Sequence, residues 1–137
     1  MNLTKRLLKA EKIPLHPGVT LYERVGGRPG VSTLIKWFYA KVRFDPLLEP
    51  IFNAHIRLWG KHLELLIDFW AEKMGGPPLY NGNLERHSFL GLGPEHFAAW
   101  LAVWEENCRW LLNEPEAGEM IGLGQRLARE LQEMGDH

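Results

Sequence analysis

Apolar residues recur every three or four positions in four separate stretches of this chain. Such spacing aligns them along one face of an α-helix, and that face must be covered by another part of the chain. No stretch alternates strictly between apolar and polar residues, which is the pattern of a half-buried strand. The chain has 137 residues, 45% of them hydrophobic, which is enough for one domain with one core. The sequence therefore predicts an all-α fold.

Proline and glycine divide the chain into these helices. Thr20 and Glu23 have the spacing of a capping box, which predicts a short helix that ends at Gly26 and Gly27. Longer helices are predicted from Pro29 to about Arg43, from Ile56 to Met74, from Pro94 and from Pro115, with a short turn through Leu47 to Phe52 after the first of them. We assign residues 1–18 to an N-terminal extension and residues 19–137 to the domain.

The segment between the second and third long helices is irregular. Residues 79–93 contain three glycines and leave room for a single helical turn, near residues 84–88. A connection of this length inside a small domain is uncommon, and such connections tend to be functional. We therefore expect residues of the functional site in this segment.

Composition and charge exclude several classes of protein. The net charge is −1 and the chain has no long basic run, which argues against nucleic-acid binding. No apolar run approaches the roughly 20 residues that a membrane span needs, and no secretion signal is recognisable, so we expect a cytoplasmic protein. The single cysteine, Cys108, is predicted to be a buried thiol. Five carboxylates are predicted to form a solvated helix face: Glu105, Glu106, Glu114, Glu116 and Glu119.

His62 is the most informative polar residue in the helical stripes. It lies in the apolar stripe of the second long helix, so its imidazole is predicted to face the core. An unpaired polar group there would cost about 1–3 kcal/mol, and the ring therefore needs a partner. A satisfied core histidine and a ligand-binding histidine both fit this pattern. Taken alone, Tyr39 and Trp100 also fit core residues, and His87 fits a surface residue.

A metal ion bound directly by side chains would need ligands from different segments of the chain. No two histidines stand three or four residues apart, the spacing that places two imidazoles on one helix face. A zinc site would have to combine residues such as His55, His62 and His87. A zinc hydrolase is therefore one of the alternatives.

Four blocks of the sequence resemble, in order, those of the truncated, or two-over-two, haemoglobins: FYAKVRFDPLLEPIFN (38–53), WGKHLELLIDFWAEKMGG (59–76), PLYNGNLERH (78–87) and PEHFAAWLAVWEE (94–106). The resemblance extends from about Thr20 to Met134. It is strongest to the third group of that family, while LYERVGG and GGPPLY resemble the second group. The resemblance implies a globin-like, two-over-two helical sandwich around haem.

The resemblance also implies roles for individual residues. His87 would be the proximal ligand of the iron of haem b, and Phe52 would wedge the porphyrin. The polar distal residues would be Tyr39, His62 and Trp100. The other residues implied to contact haem are Phe38, Leu66, Phe69, Trp70, Tyr80, Arg86 and Phe97, with Tyr80 and Arg86 at the propionates.

The function implied is reversible binding of dioxygen and other diatomic ligands. Hydrogen-bond donors in the pocket would slow ligand release, which suits oxygen, nitric oxide or peroxide chemistry better than transport. The enzyme interpretations are peroxidase-like turnover and nitric oxide dioxygenation, with a reductase as electron donor. A monomer or weak dimer is expected. The alternative from another class is a haem-free helical interaction or sensor module on a globin frame.

Overall fold

The computed structural model describes residues 12–80 and 92–135 of the chain. All regular secondary structure in these two ranges is helical, as the sequence predicts. The helices are α1 (Leu21–Arg24), α2 (Arg28–Val42), α3 (Glu49–His55), α4 (Trp59–Lys73), α5 (Pro94–Leu111) and α6 (Glu114–Gly135). None of these helices is long and apolar enough to cross a bilayer.

The short helix α1 begins at the predicted capping box. The Thr20 hydroxyl oxygen accepts the Glu23 N–H at 3.0 Å, and the Glu23 carboxylate accepts the Thr20 N–H at 3.1 Å. Gly26 and Gly27 then adopt φ values of +91° and +74°, a conformation that L residues with a side chain rarely reach. The predicted break between α1 and α2 is therefore confirmed.

Helix α2 has the most completely buried stripe. Its five predicted core residues are all 0% exposed: Val31, Leu34, Ile35, Phe38 and Val42. Helix α4 starts at Trp59 and not at Ile56 as predicted, because Ile56 still has an extended backbone. Helix α2 packs against both α4 and α5, and α5 also packs against α6. Two pairs of packed helices, α2 with α4 and α5 with α6, therefore form the described fold.

Two buried side-chain hydrogen bonds fix α5 between its neighbours. The Asn107 amide nitrogen donates to the Leu34 carbonyl of α2 at 3.0 Å. The Trp104 indole N–H donates to the Met120 carbonyl of α6 at 2.8 Å. A buried donor without a partner costs about 1–3 kcal/mol, so each bond specifies where α5 sits. Cys108 lies on the same helix and is buried, as predicted, and burial raises the pKa of its thiol to about 12.

The chain before α1 is anchored on the C-terminal end of α5. The Ile13 side chain is buried, and its N–H donates to the Leu111 carbonyl at 2.7 Å. The Lys12 ammonium donates to the carbonyls of Arg109 at 2.9 Å and Leu112 at 3.2 Å. A cation at this position satisfies carbonyls that the helix leaves unpaired and complements its negative end. The apolar pattern of the sequence did not predict this contact.

The prediction of a solvated carboxylate face is wrong at one residue. Glu116 is only 5% exposed, and its carboxylate contacts the Arg24 guanidinium of α1 at 2.8 Å. Arg24 also contacts Glu119 at 2.6 Å, which raises the pKa of the guanidinium further above its usual value. The pattern of α6 alone could not show this, because the cation comes from 92 residues earlier in the chain.

We expect Gly30→Ala to destabilise the protein. A Cβ at Gly30 would overlap the backbone carbonyl of Val25, which cannot move aside as a flexible side chain could. Overpacking of this kind costs about 1–3 kcal/mol of unfolding free energy. Chemical denaturation followed by circular dichroism measures the change.

Gly122→Ala is the matched control, because no atom lies within 4 Å of a Cβ placed there. Alanine inside a helix is favoured over glycine by about 0.5–1 kcal/mol, so this variant should be as stable as the wild type or more so. Equal stability of the two variants would contradict the close approach at Gly30.

Candidate functional site

A narrow cavity lies between the helices, and the space in it open to the centres of water molecules is about 40 Å³. Helices α2, α3, α4, α5 and α6 and the segments beside them supply its wall. The described lining residues are Tyr39, Leu48, Phe52, Leu66, Phe69, Trp70, Leu92, His96, Phe97, Trp100, Leu127, Ala128 and Leu131. Of these residues, only Tyr39, His96 and Trp100 bring polar side-chain atoms to the wall.

Most residues that the sequence singled out meet at this cavity. Seven of them line it: Tyr39, Phe52, Leu66, Phe69, Trp70, Phe97 and Trp100. Phe38 does not line it but lies behind the wall, with its ring edge-to-face against Tyr39 at 4.7 Å and Trp100 at 5.2 Å. The half-buried Tyr80 ring lies 5.2 Å from that of Phe69, which lines the cavity. Arg86 and His87 lie outside the described residues.

Tyr39 is the most deeply buried polar residue of the cavity wall, at 5% exposed. Burial raises the pKa of its hydroxyl far above the usual value, because the anion would lose its solvation. The nearby Trp100 side chain offsets part of that rise in the pKa. Tyr39 is therefore a neutral phenol at any physiological pH and can donate its own proton in a hydrogen bond.

His62 does not reach this cavity in the structure. It is half-buried in the first turn of α4, and its ring stands edge-to-face against Trp59 at 5.9 Å. Gly60 and Lys61 of the same turn are exposed, whereas Trp59 and Leu63 pack against the core. The distal role of His62 stays a prediction.

His96 lines the cavity although sequence reasoning did not select it. Its side chain is 15% exposed, and its Nδ1 accepts the Gly93 N–H at 2.8 Å. A neutral imidazole that accepts at Nδ1 carries its proton on Nε2. His96 stands four residues before Trp100, which places both on one face of α5, and that spacing was the available signal.

Three tryptophans form a parallel stack beside the cavity. Trp104 lies 4.4 Å from Trp70 and 5.5 Å from Trp100, with interplanar angles of 25° and 4°. Trp70 and Trp100 line the cavity, while Trp104 is 0% exposed. The wall of the cavity is thus continuous with the aromatic core.

The wall suits a flat, largely apolar ligand. Aromatic and aliphatic side chains cover most of it, and the polar atoms of Tyr39 and Trp100 lie together at one place. These are the features expected of a site for a porphyrin with a polar pocket for a small ligand. Among residues 12–80 and 92–135, no group of three or more His, Cys, Asp or Glu side chains could hold a bare metal ion.

Comparison with known proteins agrees with this geometry. Residues 20–128 match the bacterial-like globin family. The group 3 truncated hemoglobin ctb of Campylobacter jejuni is 34% identical over 110 residues, which are 76% of this chain and 87% of that protein. The crystal structure of a group III truncated hemoglobin from C. jejuni aligns with a TM-score of 0.70 and 32% identity, covering 79% of this chain and 90% of that one. The truncated oxygen-avid haemoglobin from Bacillus subtilis aligns with a TM-score of 0.70 and 27% identity over 82% of this chain and 98% of that one.

The fold and the cavity define an all-helical globin of the two-over-two type. The chain belongs to the bacterial-like globin family. The predicted resemblance to truncated haemoglobins, and to their third group in particular, is confirmed. Membership in this family makes the chain a haem protein that binds diatomic ligands.

We expect Tyr39 to stay protonated through the pH range in which a free tyrosine ionises, near pH 10. Its raised pKa means that it contributes stability below the pKa of the unfolded state, and this contribution is lost as the pH rises above that value. The tyrosinate absorbance of wild type minus that of Tyr39→Phe should show no step near pH 10. It should rise only where circular dichroism reports alkaline unfolding. A step near pH 10 in the folded protein would show that Tyr39 is solvated.

Proposed function

We propose that this globin binds dioxygen reversibly at the iron of haem b, with His87 as proximal ligand and with Tyr39 and Trp100 as donors to the bound ligand. The observation that supports the proposal is the proximity of two polar side chains, Tyr39 and Trp100, on a largely apolar cavity wall. Haem supplies an iron that binds diatomic ligands and exchanges electrons. The chain's own residues hold the cofactor, exclude water and donate hydrogen bonds.

The apolar wall would hold the porphyrin. Phe52, Leu66, Phe69, Trp70 and Phe97 all face the cavity and supply its hydrophobic contacts. Phe38 acts from behind the wall, where its ring supports Tyr39 and Trp100, and the Tyr80 ring packs against Phe69. The propionate roles of Arg86 and Tyr80 rest on the resemblance to the family.

The polar pair would slow the escape of a diatomic ligand. Dioxygen gains partial negative charge when it binds, and fixed donors in a dry cavity stabilise that charge. Two neutral hydrogen bonds of about 1–1.5 kcal/mol each slow dissociation by roughly 30- to 150-fold relative to an apolar pocket. The related B. subtilis protein is described as oxygen-avid, which is the behaviour such donors produce. His62 stands at the start of α4, outside the cavity, where it can act as a gate.

Tyr39→Phe is expected to speed dioxygen dissociation by about 5- to 13-fold, the equivalent of one neutral hydrogen bond. Trp100→Phe should have an effect of similar size, since it removes the other donor. Stopped-flow displacement of dioxygen from the reduced protein measures the rate. Tyr22→Phe is the matched control, because Tyr22 does not line the cavity, and its rate should equal that of the wild type. Unchanged rates in both cavity variants would refute the role of the polar pair.

The proximal ligand is tested by the visible absorption spectrum of the ferric protein and of the reduced protein with and without carbon monoxide. We expect a strong Soret band that shifts with carbon monoxide in the wild type and in His16→Ala, whose site is an exposed residue before α1. His87→Ala should weaken or move the band. His96→Ala is the decisive comparison, because His96 faces the cavity. If it, and not His87→Ala, removes the wild-type spectrum, then the iron ligand is His96.

Haem uptake, zinc content and turnover together separate the alternative functions. A folded helical protein that takes up no supplied haem would favour the interaction module, and stoichiometric zinc without porphyrin absorption would favour the hydrolase. Peroxidase-like or nitric oxide dioxygenase turnover above that of free haem would establish an enzyme. The reductase, the cytoplasmic location, the monomeric or weakly dimeric state and the boundary at residue 18 stay predictions of the sequence.

A further inference from the structure

The three stacked tryptophans differ from the other aromatic residues of the described ranges in the way their rings meet. Their planes are nearly parallel, with ring centroids 4.4–6.5 Å apart, so each indole lies against the face of another. Aromatic faces carry partial negative charge and attract a cation placed over them. A positive charge on one indole of this stack is therefore stabilised by the faces beside it.

Two of the other three tryptophans, all in the described residues, already have a cation over the ring. The Lys41 ammonium lies 4.0 Å from the Trp110 ring centre, and the Arg43 guanidinium lies 4.5 Å from that of Trp59. Removing an electron from a ring beneath a fixed cation places two positive charges together, which is unfavourable. Within residues 12–80 and 92–135, no cation lies over any of the three stacked indoles. If the aromatic core lost one electron, the resulting positive charge would therefore be most stable on the three stacked indoles.

We propose that Trp70, Trp100 and Trp104 form a one-electron oxidisable site that supplies an electron when hydrogen peroxide is reduced in the cavity. The inference rests on the proposed haem function, because the cofactor is what brings peroxide chemistry to this wall. Trp70 and Trp100 line the cavity and Trp104 continues the stack into the core. The stack thus extends from the cavity wall to Trp104, whose side chain is inaccessible to solvent.

Hydrogen peroxide takes up two electrons and two protons as its O–O bond breaks, and two water molecules form. Bound ferrous haem would supply one of these electrons and become ferric. The tryptophan stack would supply the other, leaving one positive charge shared by the indoles. The protons come from solvent, since no indole needs to lose its N–H proton. Tyr39 is a poorer donor, because a tyrosine releases its phenolic proton when it is oxidised and this one is buried.

The structure holds the stack rigidly. The Trp104 N–H is fixed by the Met120 carbonyl, and Phe38 stands edge-on to Trp104 at 4.8 Å. Gly124 of α6 leaves room for the indole, since a Cβ there would overlap the Trp104 ring nitrogen. A fixed stack needs little rearrangement when its charge changes, which favours electron transfer.

The test is rapid freeze-quench electron paramagnetic resonance of the haem-loaded chain after mixing with hydrogen peroxide. Ring-deuterated tryptophan identifies the radical. We expect a tryptophan radical in the wild type and a yield about fivefold lower in Trp104→Phe, since one flanking indole face is lost. Trp70→Phe is a second stack variant and should also lower the yield. Circular dichroism identifies any variant that fails to fold, and the other is then compared with the wild type.

Trp37→Phe is the matched control, because Trp37 lies on the surface against Trp110 and outside the stack. Its radical yield should equal that of the wild type. A wild-type yield in both stack variants, a radical lost in Trp37→Phe, or a radical on tyrosine would overturn the inference. A normal Soret band without any tryptophan radical would overturn it while leaving the proposed function intact. Absence of the Soret band would instead refute the proposed function, and the inference with it.

Discussion

The hydrogen bond from the Trp104 indole to the Met120 carbonyl fixes the position of α5, and the cavity depends on that position. A bulky aromatic side chain whose polar atom has one buried partner can be satisfied in only one arrangement of the two helices. The bond between Asn107 and Leu34 does the same toward α2. With both neighbours specified, Trp100 and His96, on turns of α5 nearer its start, are directed at the cavity.

The apolar face of each helix was predictable, because the burial of apolar side chains alone determines which residues form it. Every predicted core residue of α2 is buried, and an apolar face with a period near 3.6 has no other stable arrangement. Two histidines show how far this reasoning reaches. His62, which the apolar stripe directs toward the core, is half-buried on the first turn of α4. His96 was not selected from the sequence, yet its spacing from Trp100 brings it to the cavity.

Contacts between distant segments lay beyond any pattern in the sequence. Arg24 reaches Glu116 from 92 residues away, and Lys12 reaches the end of α5 over a similar separation. Periodicity reports which face of a helix is covered but not which charged group from elsewhere comes to rest on it. A buried carboxylate needs such a partner, because an unpaired charge would cost several kcal/mol of desolvation. The resemblance to truncated haemoglobins identified the aromatic residues of the described cavity wall but not His96, and it carried no information on these charges.

Trp100 illustrates how one side chain can serve two purposes in this cavity. Its N–H lies in the plane of the indole, and the Tyr39 hydroxyl is nearby, whereas its stacking against Trp104 uses the face of the ring. The two directions are perpendicular, so hydrogen bonding at the edge does not compete with π contact at the face. The polar pair on the wall and the tryptophan stack behind it are therefore compatible within one helix. Substitution by phenylalanine keeps much of the face and removes the donor, so hydrogen bonding and stacking at this residue can be separated by experiment.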